Sequence, residues 1–379
     1  MPEAATRETL TTVKIGITCY PTFGGSGILA TELGQELALR GHEVHFISYA
    51  NPIRLDPEVE RVHYHEVEVA TYPLFQFPPY TLALASRMAE VAEVYGLDIL
   101  HAHYAIPHSS SAEMARGMLA PQRRLPVVTT LHGTDITLVG TDPSYFRVTK
   151  FAIEESDGVT AVSEYLRRRT IEVFKITKEI AVIHNFVNCE IYKPAVDPCR
   201  ARKTLLHISN FRPVKRPTDC IRILERVLDT VDAELLMVGD GPERGPAEFL
   251  ARELGIEKNV SFLGKQGHVE RIIPHADVLL LPSQLEAFGL AALEAMACGV
   301  PPVATRTGGL TEVITHGEDG CLEEPGDTDA MAARVTELLT RPELHQRMSQ
   351  AARRTATSRF CSSLLIPEYE RYYELVLSR

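Results

Sequence analysis

The chain has 379 residues, 45% of them apolar and 23% charged, with a formal net charge of −11. That length exceeds one ordinary core and suits two α/β domains. The acidic balance argues against bulk nucleic-acid binding, which needs a basic footprint, while leaving room for local basic sites.

Short apolar runs alternate with amphipathic stretches. Residues 13–19, 43–48, 98–102, 127–131, 158–162 and 180–183 read as strands, with helices at 27–40, 80–95, 107–119, 144–155 and 164–174. This alternation predicts a parallel sheet covered on both faces. Segment 188–202 carries Pro194 and Pro198, has no period and reads as a connection. A second series follows, with strands at 205–209, 234–238, 260–263, 278–281 and 302–304 and helices at 216–228, 243–254, 290–298 and 327–339. A final amphipathic helix is expected at 365–377. The predicted class is α/β, with two Rossmann-like domains facing across a cleft. The expected domains are 13–187 joined by the C-terminal helix, 362–379, and 188–361. Ligands of open α/β sheets bind beyond the carboxyl ends of the strands, so site residues should lie just after strands.

Four such segments carry chemistry. Gly24-Gly25-Ser26-Gly27 follows the first strand and opens the first helix. Glycines admit a ligand to the backbone, and a helix start favours an anion; the plainer reading is a tight packing turn. Gly25-x-Gly27-x-x-Ala30 also resembles a dinucleotide fingerprint. That fingerprint needs an acid after the second strand, where Ser48-Tyr49-Ala50-Asn51 stands, which weakens a nicotinamide-dependent oxidoreductase. Thr129-Thr130-Leu131-His132-Gly133-Thr134-Asp135 ends a strand and suits either a polar pocket or a satisfied structural histidine.

Ser209-Asn210-Phe211-Arg212-Pro213-Val214-Lys215 places two cations three residues apart where a helix begins. A guanidinium fork and an ammonium together suit a diphosphate; the alternative is two solvated bases. The turn Gly239-Asp240-Gly241-Pro242 adds a second backbone cradle. The fourth segment runs from Glu286 through Phe288, Gly289, Leu290 and Glu294 to Gly299. Its helix start exposes N–H groups to phosphate oxygens. Glu294 can accept ribose hydroxyls and Glu286 sugar hydroxyls. A capping acid plus a buried helical acid is the structural alternative, and it is costly in an apolar helix.

The Glu286-x7-Glu294 pattern, with Arg212 and Lys215, resembles retaining glycosyltransferases of the GT-B fold, family four, from Lys14 to the last helix. The resemblance implies that the last helix crosses back to the N-terminal domain. Within this family, a narrower resemblance lies in Ile15-Gly16-Ile17-Thr18-Cys19-Tyr20-Pro21, Phe75-Gln76-Phe77-Pro78-Pro79-Tyr80, His101-Ala102-His103-Tyr104-Ala105-Ile106-Pro107-His108, Thr130-Leu131-His132-Gly133-Thr134-Asp135-Ile136 and Asn210-Phe211-Arg212-Pro213-Val214-Lys215-Arg216. They are similar to the branch that transfers N-acetylglucosamine from UDP-GlcNAc to the hydroxyl of L-malate, the first step of bacillithiol biosynthesis. Residues 1–11 have no counterpart there and are expected to be a disordered extension.

The resemblance implies a donor site of Gly25, Ser209, Asn210, Arg212, Lys215, Gly239, Leu263, Gly264, Glu286, Phe288, Gly289, Leu290 and Glu294. It implies an acceptor site of Ser26, Gly27, Tyr104, Thr130 and His132. His132, Arg212, Lys215 and Glu286 are the expected catalytic set, with His132 positioning or polarising near the sugar rather than acting as base. Basic residues and helix ends meet the phosphates, so no metal or other cofactor is expected.

The remaining features are read conservatively. The pairs His63 and His65, and His101 and His103, read as packing or pocket lining. Arg167-Arg168-Arg169 reads as a solvated helix face, and the aromatic stretch 72–80 as cleft lining or domain packing. Seven cysteines with no C-x-x-C spacing argue against a disulfide framework or structural zinc and for a cytoplasmic setting. Residues 1–12 lack signal-peptide character, and no apolar run approaches about eighteen residues, so no stable membrane insertion is expected. A homo-oligomer is compatible with the sequence. The rivals are another acceptor, such as an inositol phosphate or a lipid, and a non-catalytic sugar-nucleotide sensor.

Overall fold

The structure, a computed structural model, describes residues 12–195 and 202–379. The extension expected at 1–11, and residues 196–201 of the expected connection, lie outside the described residues.

Two parallel sheets organise the chain. The first contains β1 (Lys14–Thr18), β2 (Glu43–Ser48), β3 (Val62–Glu66), β4 (Ile99–His103), β5 (Val127–Leu131), β6 (Gly158–Ala161) and β7 (Ala181–Val182), in the order β3-β2-β1-β4-β5-β6-β7. The second contains β8 (Lys203–Ile208), β9 (Ala233–Val238), β10 (Val260–Gly264), β11 (Val278–Leu281), β12 (Pro302–Thr305) and β13 (Cys321–Glu323), in the order β10-β9-β8-β11-β12-β13. The strand order reverses between β1 and β4, and again between β8 and β11. A crevice opens at each reversal, and the loops after these strands line it. The central strands are buried along their length, as a sheet covered on both faces requires.

Three elements escape the apolar pattern. β3 (VHYHE) is a polar edge strand, β13 is three residues long, and the helix Pro342–Arg359 is strongly polar. That helix buries only Met348, Ala352 and Ala356. The helix expected at 107–119 begins at Ser110, because Ile106 in the preceding turn is extended (φ −135°, ψ 140°).

The last helix, Ser362–Leu377, does return to the first sheet. Leu365, Ile366, Tyr369, Tyr373 and Val376 join the cluster around Ile15, Ile17 and Leu29. Each such large side chain contributes about 1.5–3 kcal/mol on burial. Arg40 grips Glu370 with two bonds of 2.7 Å, and the Tyr373 hydroxyl lies 2.7 Å from His101 Nδ1. The crossing is fixed by a short parallel bridge. The Val187 N–H donates to the Phe360 carbonyl, and the Ser362 N–H to the Val187 carbonyl, each at 2.9 Å. No helix among the described residues is long and apolar enough to cross a membrane. The six described cysteines are free thiols.

Candidate active site

The cleft between the sheets encloses about 310 Å³ and draws its walls from both. On the first side stand Gly25 and Ser26 after β1, Tyr104 after β4 and His132 after β5. On the second stand Ser209, Asn210 and Lys215 after β8, Gly239 after β9, and Glu286, Phe288, Gly289, Leu290 and Glu294 after β11.

Two helices begin in this cleft. Helix Gly25–Leu39 starts after Gly24 and helix Leu290–Ala297 after Gly289, neither with a side-chain cap. Their first N–H groups and positive dipole ends are therefore left for a ligand. The two starts are close: a Cβ placed on Gly25 would lie 3.6 Å from Leu290 Cδ2. Gly133 also makes the approach possible, because a Cβ there would lie 2.5 Å from the Ala287 Cβ across the cleft.

Lys215 ends the turn Pro213–Lys215, which the Gln284 N–H pins by donating to the Val214 carbonyl at 2.8 Å. Lys215 Nζ donates to Glu286 Oε1 at 2.6 Å, and Ser283 Oγ donates to the same oxygen at 2.9 Å. The cation and the expected sugar-binding acid thus hold one another at the mouth of the second helix. Arg212 is exposed at the rim and lies outside the lining. Its charge still reaches across the cleft. Burial raises the Tyr104 phenol and Asp135 adds to this, while bonds from Ser26 and Thr134 and the Arg212 charge pull it back.

Glu294 is the one charged side chain of its helix and is 6% exposed. Tyr192 Oη donates to Glu294 Oε1 at 2.8 Å, and Arg54 Nη1 stands 3.7 Å from that oxygen. The same Nη1 donates to Tyr192 Oη at 2.8 Å and to Glu32 Oε1 at 2.9 Å, while Arg54 Nε donates to the Gly267 carbonyl at 3.2 Å. A single guanidinium therefore ties the first sheet's loops to the second sheet's helix. Burial raises the Glu294 carboxyl, with Arg54 and Tyr192 opposing. Burial likewise pushes Glu32 up to about 7.

This shift has a testable sign. The folded form holds the Glu32 proton to about pH 7, the unfolded chain only to about 4.5. Stability contributed by the protonated form is thus lost as pH rises through that window. Glu32→Gln is expected to flatten this part of the curve, read as urea midpoints at pH 5 and pH 7.5. Parallel curves for the variant and the parent would contradict it.

Beneath the first wall lies a layer of histidines. His103 Nδ1 and His132 Nε2 are 2.9 Å apart, and burial, then His108, pushes His132 down to about 3. His132 is thus neutral near pH 7, a state in which it can position or polarise a ligand without carrying charge. Asp135 fixes its loop by accepting from the His132, Gly133 and Ala105 N–H groups at 3.2, 2.9 and 3.1 Å.

Several expected residues lie elsewhere. Thr130 is fully buried inside the first domain, with His101 Nε2 at 2.7 Å and Thr160 Oγ1 at 2.6 Å, because its position in β5 points it at β4 and β6. Gly27 packs the helix start, since a Cβ there would run into the Tyr20 carbonyl. Leu263 and Gly264 are outside the lining, and their carbonyls already accept from Gln266 Nε2 (2.6 Å) and the Gly239 N–H (2.8 Å). Lys265 and Gln266, next in the chain, line the cleft instead. The aromatic stretch does not line the cleft: Leu74 and Phe77 are 82% and 78% exposed. Arg54 and Asn185, which also line the cleft, went unread because nothing local marks them. At the end of β2, Ser48 Oγ donates to the Ala50 carbonyl at 2.7 Å, and no acid stands where a nicotinamide ribose needs one.

Two facing parallel sheets, with uncapped helix starts and a lysine at the cleft between them, define a glycosyltransferase of the GT-B class. Residues 194–355 match the model for glycosyl transferases group 1, and residues 23–191 that for glycosyltransferase family 4. The N-acetyl-α-D-glucosaminyl L-malate synthase of Bacillus anthracis is 48% identical, over 96% of this chain and 97% of that one. The D-inositol 3-phosphate glycosyltransferase of Mycobacterium marinum is 29% identical, over 83% and 73%. The HepE protein (Alr3699) of Anabaena, solved with UDP and glucose, superposes with a TM-score of 0.80 at 20% identity, covering 96% and 99%. The chain belongs to glycosyltransferase family 4 and is a glycosyltransferase.

Proposed function

We propose that this enzyme transfers N-acetylglucosamine from UDP-GlcNAc to the hydroxyl of L-malate with retention of anomeric configuration, the first step of bacillithiol biosynthesis. One observation carries the site: two uncapped helix starts and Lys215 converge between the sheets. The similarity to the malate synthase supports the substrates.

On this reading, 188–361 form the donor domain and 13–187 with 362–379 the acceptor domain. Lys215, with Arg212 at the rim, neutralises the departing β-phosphate, whose charge grows as the glycosidic bond breaks. The helix start at Phe288, Gly289 and Leu290 receives phosphate oxygens through its N–H groups. Glu294 accepts ribose hydroxyls, Glu286 accepts sugar hydroxyls, and the uracil edge lies where Lys265 and Gln266 follow β10. Ser209, Asn210 and Gly239 wall this side.

The malate carboxylates meet the helix start at Gly25 and Ser26, with Tyr104 and His132 beside them. The malate oxygen bonds to the anomeric carbon on the face that UDP leaves, and the leaving phosphate oxygen takes the malate proton. This needs no carboxylate nucleophile. Lys215 and the helix ends carry the charge, so we expect no metal requirement for transfer. The free thiols support a cytoplasmic setting.

The test is UDP release from UDP-GlcNAc with L-malate, D-malate, an inositol phosphate or no acceptor, all in EDTA. Release with L-malate alone is expected. Release with the inositol phosphate and not with L-malate would overturn the acceptor, and EDTA-sensitive release the absence of a metal.

A further inference from the structure

A second polar cluster sits at the edge of the first sheet, and none of its residues lines the cleft. Parallel register sets His45 of β2 beside His63 of β3. Glu43 precedes His45 by two residues and so shares its face of the sheet. His45 Nε2 lies 3.2 Å from Glu43 Oε1, and His63 Nε2 lies 3.5 Å from the same oxygen. One donor atom from each of the three lies within 4.8 Å of the others. The two rings stack with centroids 4.6 Å apart.

We propose that Glu43, His45 and His63 bind one divalent transition-metal ion of the Zn²⁺ type, joining β2 to the edge strand β3. Zn²⁺ bonds to imidazole nitrogen and carboxylate oxygen of about 2.0–2.1 Å put tetrahedral ligand atoms roughly 3.3 Å apart. The separations of 3.2 and 3.5 Å fall on either side of that spacing. A ligating imidazole also needs its other nitrogen held. Here His45 Nδ1 has His65 Nε2 at 2.9 Å, which fixes the ring. The second carboxylate oxygen, Glu43 Oε2, is held by Lys14 Nζ at 3.2 Å. His45 is wholly buried, whereas the His63 side chain is 45% exposed, so an ion can enter and water can fill its open positions. Imidazole with carboxylate suits zinc, nickel and copper over magnesium or calcium. The plain alternative is a hydrogen-bonded array with no ion. In that array His45 Nε2–H donates to Glu43 and His65 Nε2–H donates to His45 Nδ1.

The experiment is titration of the chelator-treated full chain with Zn²⁺ alone, followed by calorimetry and by thermal melting. We expect one ion per chain and a rise in Tm at saturation. Both should be lost in His63→Ala, which keeps its transferase activity. Glu43→Gln, which preserves shape, should weaken binding at least about tenfold. His132→Ala, in the cleft, should leave binding unchanged. No saturable ion, or one retained in His63→Ala and Glu43→Gln, or one lost in His132→Ala, would overturn the site.

Discussion

Lys215→Ala is expected to lower kcat by about 10²–10³-fold, the loss typical of removing one donor from a developing oxyanion. The donor KM should change far less, because the phosphate charge that Lys215 meets is largest in the transition state. The fold should survive. Lys215 sits in a three-residue turn outside the hydrophobic clusters, and Glu286 keeps the Ser283 bond at 2.9 Å when the ammonium is gone. Steady-state kinetics beside a thermal melt separate the two effects. Normal turnover in a folded Lys215→Ala protein would remove Lys215 from the mechanism.

Arg54→Ala is expected to act on stability first. Arg54 is 15% exposed in its side chain and faces Glu32 and Glu294, 18% and 7% exposed. Removing one partner of a buried pair typically costs about 3–5 kcal/mol, because the other charge is left uncompensated. Here Glu32 and the Tyr192 hydroxyl lose their donor, and Glu294 loses the cation 3.7 Å from it. The loss should be greater at pH 8 than at pH 5, where a proton on Glu32 removes much of the uncompensated charge. The donor KM should rise as well, since Glu294 loses a group that orients it. Urea unfolding at the two pH values checks the first point and kinetics the second. A variant as stable as the parent at pH 8 would show that the guanidinium does not hold the domains' carboxylates.

These two residues mark what was legible. Lys215 and the pair Glu286 and Glu294 were readable because each follows a strand and lies within one local segment. Their chemistry needs only strand, loop and helix start. Arg54 was not readable. It lies in a loop at φ 65°, reaches Gly267 on the far side of the cleft, and follows no motif. Thr130 shows a different limit. The strand was placed correctly, but neither of its hydroxyls reaches the cleft: Thr130 turns to His101 and Thr160, and Thr129 to Ser109 and Ser156. The pairing of His45 with His63 depends on parallel register with β3, a polar edge strand that no apolar run announces. The two parallel sheets were legible because burial on both faces leaves short apolar runs at the strands, whereas the return of the last helix came from the family resemblance. Cross-domain contacts leave no such runs.

In the proposed reaction N-acetylglucosamine passes to the malate hydroxyl with retention. Proton NMR of the product formed from UDP-GlcNAc and L-malate tests it most directly. The expected product is an N-acetylglucosaminyl malate whose anomeric proton shows the small coupling of an α-linkage. A β-linked product, or free N-acetylglucosamine with the malate unchanged, would contradict it.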